Sequence, residues 1–305
     1  MVNAEDPFKG CWDRFDRAVT HRQEAVKVWN DFIRGEGEDD DPYTISLYLD
    51  EEREGVGRAT LRVWENRPVP TVLPILFGEY FYNLRAALDY AIYTTAVIDN
   101  HWQDPPPREK DLQFPICDTP ESWRNNMFHV APLNERHRGW IEQVQPYQGF
   151  EEGEVVDPRV RGIWWINHLA RLDRHRELRV VGGYASERRP VVGVRPGVTI
   201  DWDRMGENIF VEDGAVIASF TITPWAEGDE VEANPQTAID VDLKDFATGG
   251  KRPADWLYTE MPKRLFMIES VIHTEVGRLE YDCIRRTRST YIDTNWEGFK
   301  HPPDP

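Results

Sequence analysis

One long, largely apolar run, VLPILFGEYFYNLRAALDYAIYTTAVIDN from Val72 to Asn100, leaves few folds open to this chain. Wound at about 100° per residue, it gathers Phe77, Phe81, Leu84, Leu88, Ala91, Ile92 and Thr95 on one side, the i, i+3/i+4, i+7 spacing of a helix that faces a core. The other side carries Glu79, Tyr82, Asn83, Arg85, Asp89, Tyr90 and Tyr93, with Gly78 and Ala86 among them. A solvated face would be rich in lysine and glutamate. Tyrosines with so few charges predict that a second element packs over this side. Arg85 and Asp89 are four residues apart and meet on one face, as do Glu79 and Asn83. A charge in such a half-buried setting needs a partner. Two readings stay open: a structural Arg–Asp pair that ties helices together, or part of a ligand site.

The rest of the chain arranges itself around that helix. Gly10–Ile33 reads as an amphipathic helix with Trp12, Phe15, Ala18, Val19, Ala25, Val26, Trp29 and Phe32 on its apolar side, stopped by Gly35. Tyr43–Leu49 and Ala59–Trp64 are rich in β-formers, and the EEREGVG between them supplies turn glycines, so the pair reads as a hairpin. After the central helix come the DPPPREKD loop, the apolar segment Leu112–Ile116 (LQFPI) and two short helices. One is capped at Asp118 or Thr119, and the other runs from Glu135 to Val144 behind Asn134. Asp157-Pro158 is an N-cap followed by proline at the first helical position. It opens a second organising helix, Arg159–Val181, in which His168, Arg171 and His175 share one side and Asp173 and Arg176 lie on a neighbouring strip.

From Val180 onward, strand-like pieces separated by turn residues predict an antiparallel β layer, with Glu212–Gly214 (EDG) as a hairpin turn. A linker at Thr248–Asp255 precedes a last helix from Thr259 or Glu260 to about Arg285. The fold class is therefore α+β: a helical bundle over 1–179 and 256–290 that carries the hairpin 43–65, an attached β layer over 180–246, and a loose tail over 291–305.

Charge and cysteine usage narrow the function classes. A formal charge of −18, with acidic runs at Glu36–Asp41 and Asp50–Glu54, argues against non-specific binding of bulk nucleic acid. The exception is local. Between Val155 and Arg189 there are eight arginines against four acidic residues, a basic patch suited to phosphate or to the chain's own acidic runs. Cys11, Cys117 and Cys283 form no C-x-x-C pair, so neither a disulfide framework nor a zinc ribbon is expected, and a reducing cytoplasm fits. The start of the chain lacks the basic and apolar regions of a secretion signal. Glu79, Arg85 and Asp89 interrupt the long apolar run well inside the roughly 20 residues a bilayer requires, so no membrane partner is expected.

Signatures of known chemistry are missing: there is no G-x-G-x-x-G, Walker sequence, H-E-x-x-H, G-x-S-x-G or paired C-x-x-C. No cofactor is assigned. His168 and His175 are seven apart without a third ligand, so no metal is assigned either.

Four ordered segments, NLRAALDYAIY (Asn83–Tyr93), LQFPI (Leu112–Ile116), QPYQG (Gln145–Gly149) and HLARLDRHRELRVV (His168–Val181), resemble a broad bacterial family of uncharacterised proteins. That family carries a helix with NLRxALDH, an FPI segment, a QPY segment and a helix ending in LxxLDKHR. Its helical part distantly resembles HEPN domains, bundles that often act as metal-independent ribonucleases through an arginine followed shortly by a histidine and that commonly pair through their helices. The resemblance implies Arg85 and Tyr90 at those positions. Tyrosine replaces histidine here, and a phenol with a pKa of about 10 is a poor general base at neutral pH.

Two functions follow. In the first, the chain handles RNA or another phosphate-bearing ligand in a defence or toxin–antitoxin setting. Arg85 stabilises phosphate charge, Asp89 orients it, Tyr90 or His175 moves a proton, and Asn83, His168, Arg171 and Arg176 bind substrate. In the second, it is a non-catalytic module with a structural Arg–Asp–His cluster that binds a protein partner. A homodimer is expected by analogy alone.

Overall fold

The computed structural model describes residues 6–35, 41–148, 157–184, 191–204, 209–226, 228–234, 239–246 and 261–286. Most of the acidic run 36–41, the linker 248–255, the predicted start of the last helix at Thr259 or Glu260 and the tail 291–305 lie outside the described residues. In chain order the elements are α1 (Lys9–Arg34), β1 (Tyr43–Arg53), β2 (Val56–Glu65), α2 (Val72–Asn100), α3 (Pro120–Asn126), α4 (Glu135–Gln143) and α5 (Gly162–His175). Then follow β3 (Val180–Tyr184), β4 (Val191–Gly193), β5 (Thr199–Arg204), β6 (Ile209–Phe210), β7 (Ala215–Thr223), β8 (Glu232–Asn234), β9 (Ile239–Leu243) and α6 (Met261–Ile284). The chain is α+β, as its periodicities predict. Among the described residues no helix is long and apolar enough to cross a membrane.

α2 is the hub. The predicted stripe from Phe77 to Thr95 is fully buried, Leu73 extends it by a turn, and Tyr80, Ala87 and Ala96 are buried beside it on the same helix. Its most extensive contact is with α1, followed by α6 and α5. Pro74 sits in the first turn, where a missing N–H leaves no intrahelical bond unmade. α1 presents its predicted apolar side, with Trp12, Phe15, Ala18, Ala25, Trp29 and Phe32 buried, and ends at Gly35 with φ of 63°. α1 and α6 are also joined by a buried ion pair, Arg22 Nε to Glu269 Oε1 at 2.9 Å.

The hairpin does not stand apart with the bundle. β2 pairs with β7, and β7 with β5, giving an antiparallel sheet in the order β1-β2-β7-β5. Gly57, Ala59, Leu61 and Val63 alternate as the buried face of β2, and Phe220 and Ile222 of β7 join them in the core. Residues 43–65 thus share a sheet with β5 and β7 of the 180–246 region, while β6-β3-β9 and β4-β8 form two separate smaller sheets.

Two local expectations are corrected by the strand pairing and the helix bounds. EDG at 212–214 does not close a hairpin, because β6 pairs with β3 rather than with β7. The Gly214 amide donates instead to the Val63 carbonyl at 2.8 Å, so the turn docks on β2 and carries the chain from the small β6-β3-β9 sheet to the main one. The predicted helix Arg159–Val181 is shorter. Asp157 caps a single 3-10 turn at Pro158–Val160, accepting the Arg159 amide at 3.0 Å, and α5 follows from Gly162. At its far end the chain turns extended at Arg176, with φ of −163°. Asp245, wholly buried, collects that turn: it accepts from the Arg176 and Arg179 guanidinium groups and from the Arg179 amide at 2.8 Å. A carboxylate so placed is satisfied only if the segment leaves the helix and enters β3.

Candidate functional site

Arg85 and Asp89 do meet. Arg85 Nη2 lies 3.1 Å from Asp89 Oδ1, and the two side chains are only 15% and 31% exposed. The same Asp89 oxygen accepts the backbone N–H of Phe114 at 2.8 Å. The carboxylate therefore joins α2 to the Leu112–Ile116 segment, whose Phe114 is fully buried. Burial pushes the Asp89 carboxyl above its ordinary value, against the pull of Arg85, the Phe114 amide, His129 and Arg174. Burial also draws the Arg85 guanidinium below its ordinary value, and nearby Arg174 adds to this while Asp89 opposes it. Arg85 Nη1 is buried without a hydrogen-bond partner.

Asn83 and Tyr90 belong to a different side of α2. Asn83 is buried, accepts from Arg14 Nη1 at 3.2 Å and donates to the Glu79 carbonyl at 2.8 Å. Tyr90 lies against α1: a Cβ on Gly10 would stand 3.0 Å from its ring, and the Arg14 guanidinium sits 5.6 Å from the ring centroid. Of the polar face, α1 thus covers Asn83 and one edge of Tyr90, while both Tyr90 and Tyr82 remain about half exposed.

α5 covers another part of it, but with other residues than the histidines. A Cβ at Gly78 would overlap the Asp173 carboxylate, so the side of α5 turned to α2 bears Asp173, with Arg174 close enough to act on Arg85 and Asp89. Asp173 and Arg174 follow His168 by five and six positions and lie on the far side of the helix from it. His168 stacks on Trp164 at 4.5 Å and 16°, with Trp165 edge-on, and its Nε2 is buried without a hydrogen-bond partner. Burial lowers its pKa, helped by Arg176 and Arg171 and opposed by Asp245 and Asp118. His175, Arg171 and Arg176 are exposed, and Arg176 pairs with Asp245. The structure brings Arg85 and Asp89 together. It does not bring His168, Arg171, His175 or Arg176 to them.

Two features escaped the sequence. His129, whose Nδ1 lies 2.5 Å from the Asp111 carbonyl oxygen, is near enough to Asp89 to act on it, yet it sits in a short 3-10 turn with no periodic signal. The other is a polar node far from Arg85. His137, buried on α4, places Nδ1 2.9 Å from Asp99 of α2 and Nε2 3.1 Å from Asp282 of α6. Ligand atoms of Asp99, His137 and Cys283 lie within 4.8 Å of one another, which is a spacing open to a metal ion. Both ring nitrogens already face carboxylates, and burial pushes the Cys283 thiol up to about 12. As arranged, the node is a hydrogen-bonded tie among three helices.

Comparison with known proteins finds no match of three kinds: no family model, no curated protein and no solved structure matches this chain. What the site can do is decided by its own geometry.

Proposed function

We propose that the protein is a HEPN-like binding module that works by association rather than catalysis, with the Arg85–Asp89 pair serving its architecture. The observation that carries this reading is the double engagement of Asp89, which holds Arg85 and the Phe114 amide at once. A general base must be free to take a proton within hydrogen-bond reach of substrate. Asp89 Oδ1 already holds both groups, Tyr90, though 44% exposed, leans on α1 from a different side of α2, and the histidine side of α5 is turned away. The face such a module offers a partner is the outer stripe of α2, where Ile75 and Tyr82 are 58% and 50% exposed. A second copy of the chain is the partner that the HEPN resemblance implies.

A phosphate-handling reading is favoured by one specific feature, the unpartnered Arg85 Nη1 beside Arg174 and within the influence of His129. Incubation with labelled single-stranded RNA, with and without a divalent metal, separates the two. The module reading expects no cleavage from the native protein under either condition. Cleavage by the native protein that Arg85→Ala abolishes, with the fold intact by circular dichroism, establishes the other.

A further inference from the structure

Between the start of α5 and the middle of α6 lies a cavity of about 290 Å³, at the small end of the roughly 300–1,000 Å³ typical of small-molecule sites. Val144, Ile163 and Val271 give it apolar walls. Its polar groups are unusual in being uncommitted. Glu275 lines it, is 7% exposed, and makes no hydrogen bond or ion pair among the described residues. Ser270 also lines it, and its hydroxyl is buried without a partner. Gly162 and Ile163, the first two residues of α5, complete that end. Their amides have no acceptor within the helix, and the Arg161 side chain makes no capping hydrogen bond to them.

The charges at this end favour an anion. The α5 N-terminus carries partial positive charge. Arg161 shares the cavity while its guanidinium donates to the Gln148 carbonyl, and Arg278 acts on Glu275 from the same helix. The C-terminus of the short α4, where Val144 is the C-cap, carries the opposite partial charge but lines the cavity through the apolar Val144 alone. A cationic head group would meet these positive groups. A phosphate would have to shed a large hydration shell against the aliphatic walls. A carboxylate with an apolar tail matches a cavity that sets the buried Ser270 hydroxyl and Glu275 beside a helix N-terminus and aliphatic walls.

We propose that this cavity binds a small monocarboxylic acid with a short apolar tail, its carboxylate held by the Gly162 and Ile163 amides, the Ser270 hydroxyl and the Glu275 carboxyl group. The site is separate from the Arg85–Asp89 pair, so it stands or falls independently of the module reading. Burial pushes Glu275 up to about 7, so the acid form is on hand near neutrality and binding draws in a proton. Affinity then rises about tenfold as the pH falls from 8 to 6.

The test is a backbone-amide NMR titration of the full chain with hexanoate and with benzoate, beside hexylammonium and inorganic phosphate. The expected result is saturable shifts at Gly162 and Ile163 for the two carboxylates, with the tenfold pH dependence. Glu275→Gln keeps a neutral donor and binds equally at both pH values. Val271→Phe fills the cavity and weakens binding at least tenfold while keeping the native circular dichroism. The proposal is overturned by absence of saturable shifts at millimolar carboxylate, by tighter binding of hexylammonium or phosphate, by hexanoate affinity that is flat in pH for the native chain, or by unchanged binding in Val271→Phe.

Discussion

Glu275 is a buried carboxyl whose chemistry departs far from its solution behaviour without an ion pair to compensate. Its carboxyl titrates at about 4.5 in the unfolded chain and about 7 when folded, because burial outweighs the attraction of Arg278. Between those values the folded state holds a proton that the unfolded state has released. Stability therefore falls as the pH rises from about 4.5 to 7, and the full penalty, roughly 3 kcal/mol, is present above that range. Glu275→Gln removes the titration. Its stability relative to the native chain is expected to improve between pH 5 and pH 8, read from urea midpoints, and an equal difference at both pH values contradicts the assignment. Asp245 shows the opposite use of burial. It is wholly enclosed and bound by two arginines and an amide, so Asp245→Ala is expected to lower unfolding free energy by about 2–3 kcal/mol. A loss below about 0.5 kcal/mol, the range of surface substitutions, counts against its anchoring role.

Buried ionic ties join elements alongside the apolar stripes. Arg22 and Glu269 join α1 to α6 with side chains 2% and 4% exposed. Removing either partner leaves the other charge buried without its counter-ion, so Arg22→Met and Glu269→Met are each expected to cost about 3–5 kcal/mol, whereas the double substitution recovers most of the loss. Additive losses in denaturant unfolding would show that the pair is not coupled. The apolar side of such elements is readable in advance: Phe77 to Thr95 on α2 and Trp12 to Phe32 on α1 follow a period that burial then confirms. Their polar sides are not. Nothing in the spacing of Asn83, Arg85 and Tyr90 says which goes to α1 and which to the Phe114 segment, because that depends on rotations set by partners distant in sequence. The α5 prediction failed at its end for a similar reason: the helical pattern continues past His175, but Asp245, some seventy positions on, captures Arg176 and Arg179 and forces the turn into β3. One small signal did point correctly at contact. Gly78, a glycine in the second turn of α2, marks a place where the Asp173 carboxylate of α5 leaves no room for a Cβ.

At the scale of the whole molecule, the bundle and the β layer form one core around α2, and its outer stripe with Ile75 and Tyr82 is the surface the module reading assigns to a partner. If that partner is a second copy, sedimentation velocity of the native chain shows a dimer that Tyr82→Glu dissociates; a monomer at all concentrations removes the homodimer. Beneath this lies the claim that Asp89 is a structural tie and not a catalytic group. Hydrogen exchange at the Phe114 amide tests it most directly. With Asp89 holding that amide, Asp89→Leu is expected to speed its exchange about 10- to 100-fold, the equivalent of losing a hydrogen bond to a charged acceptor, while amides in the middle of α1 stay protected. An unchanged Phe114 rate in Asp89→Leu would contradict the account.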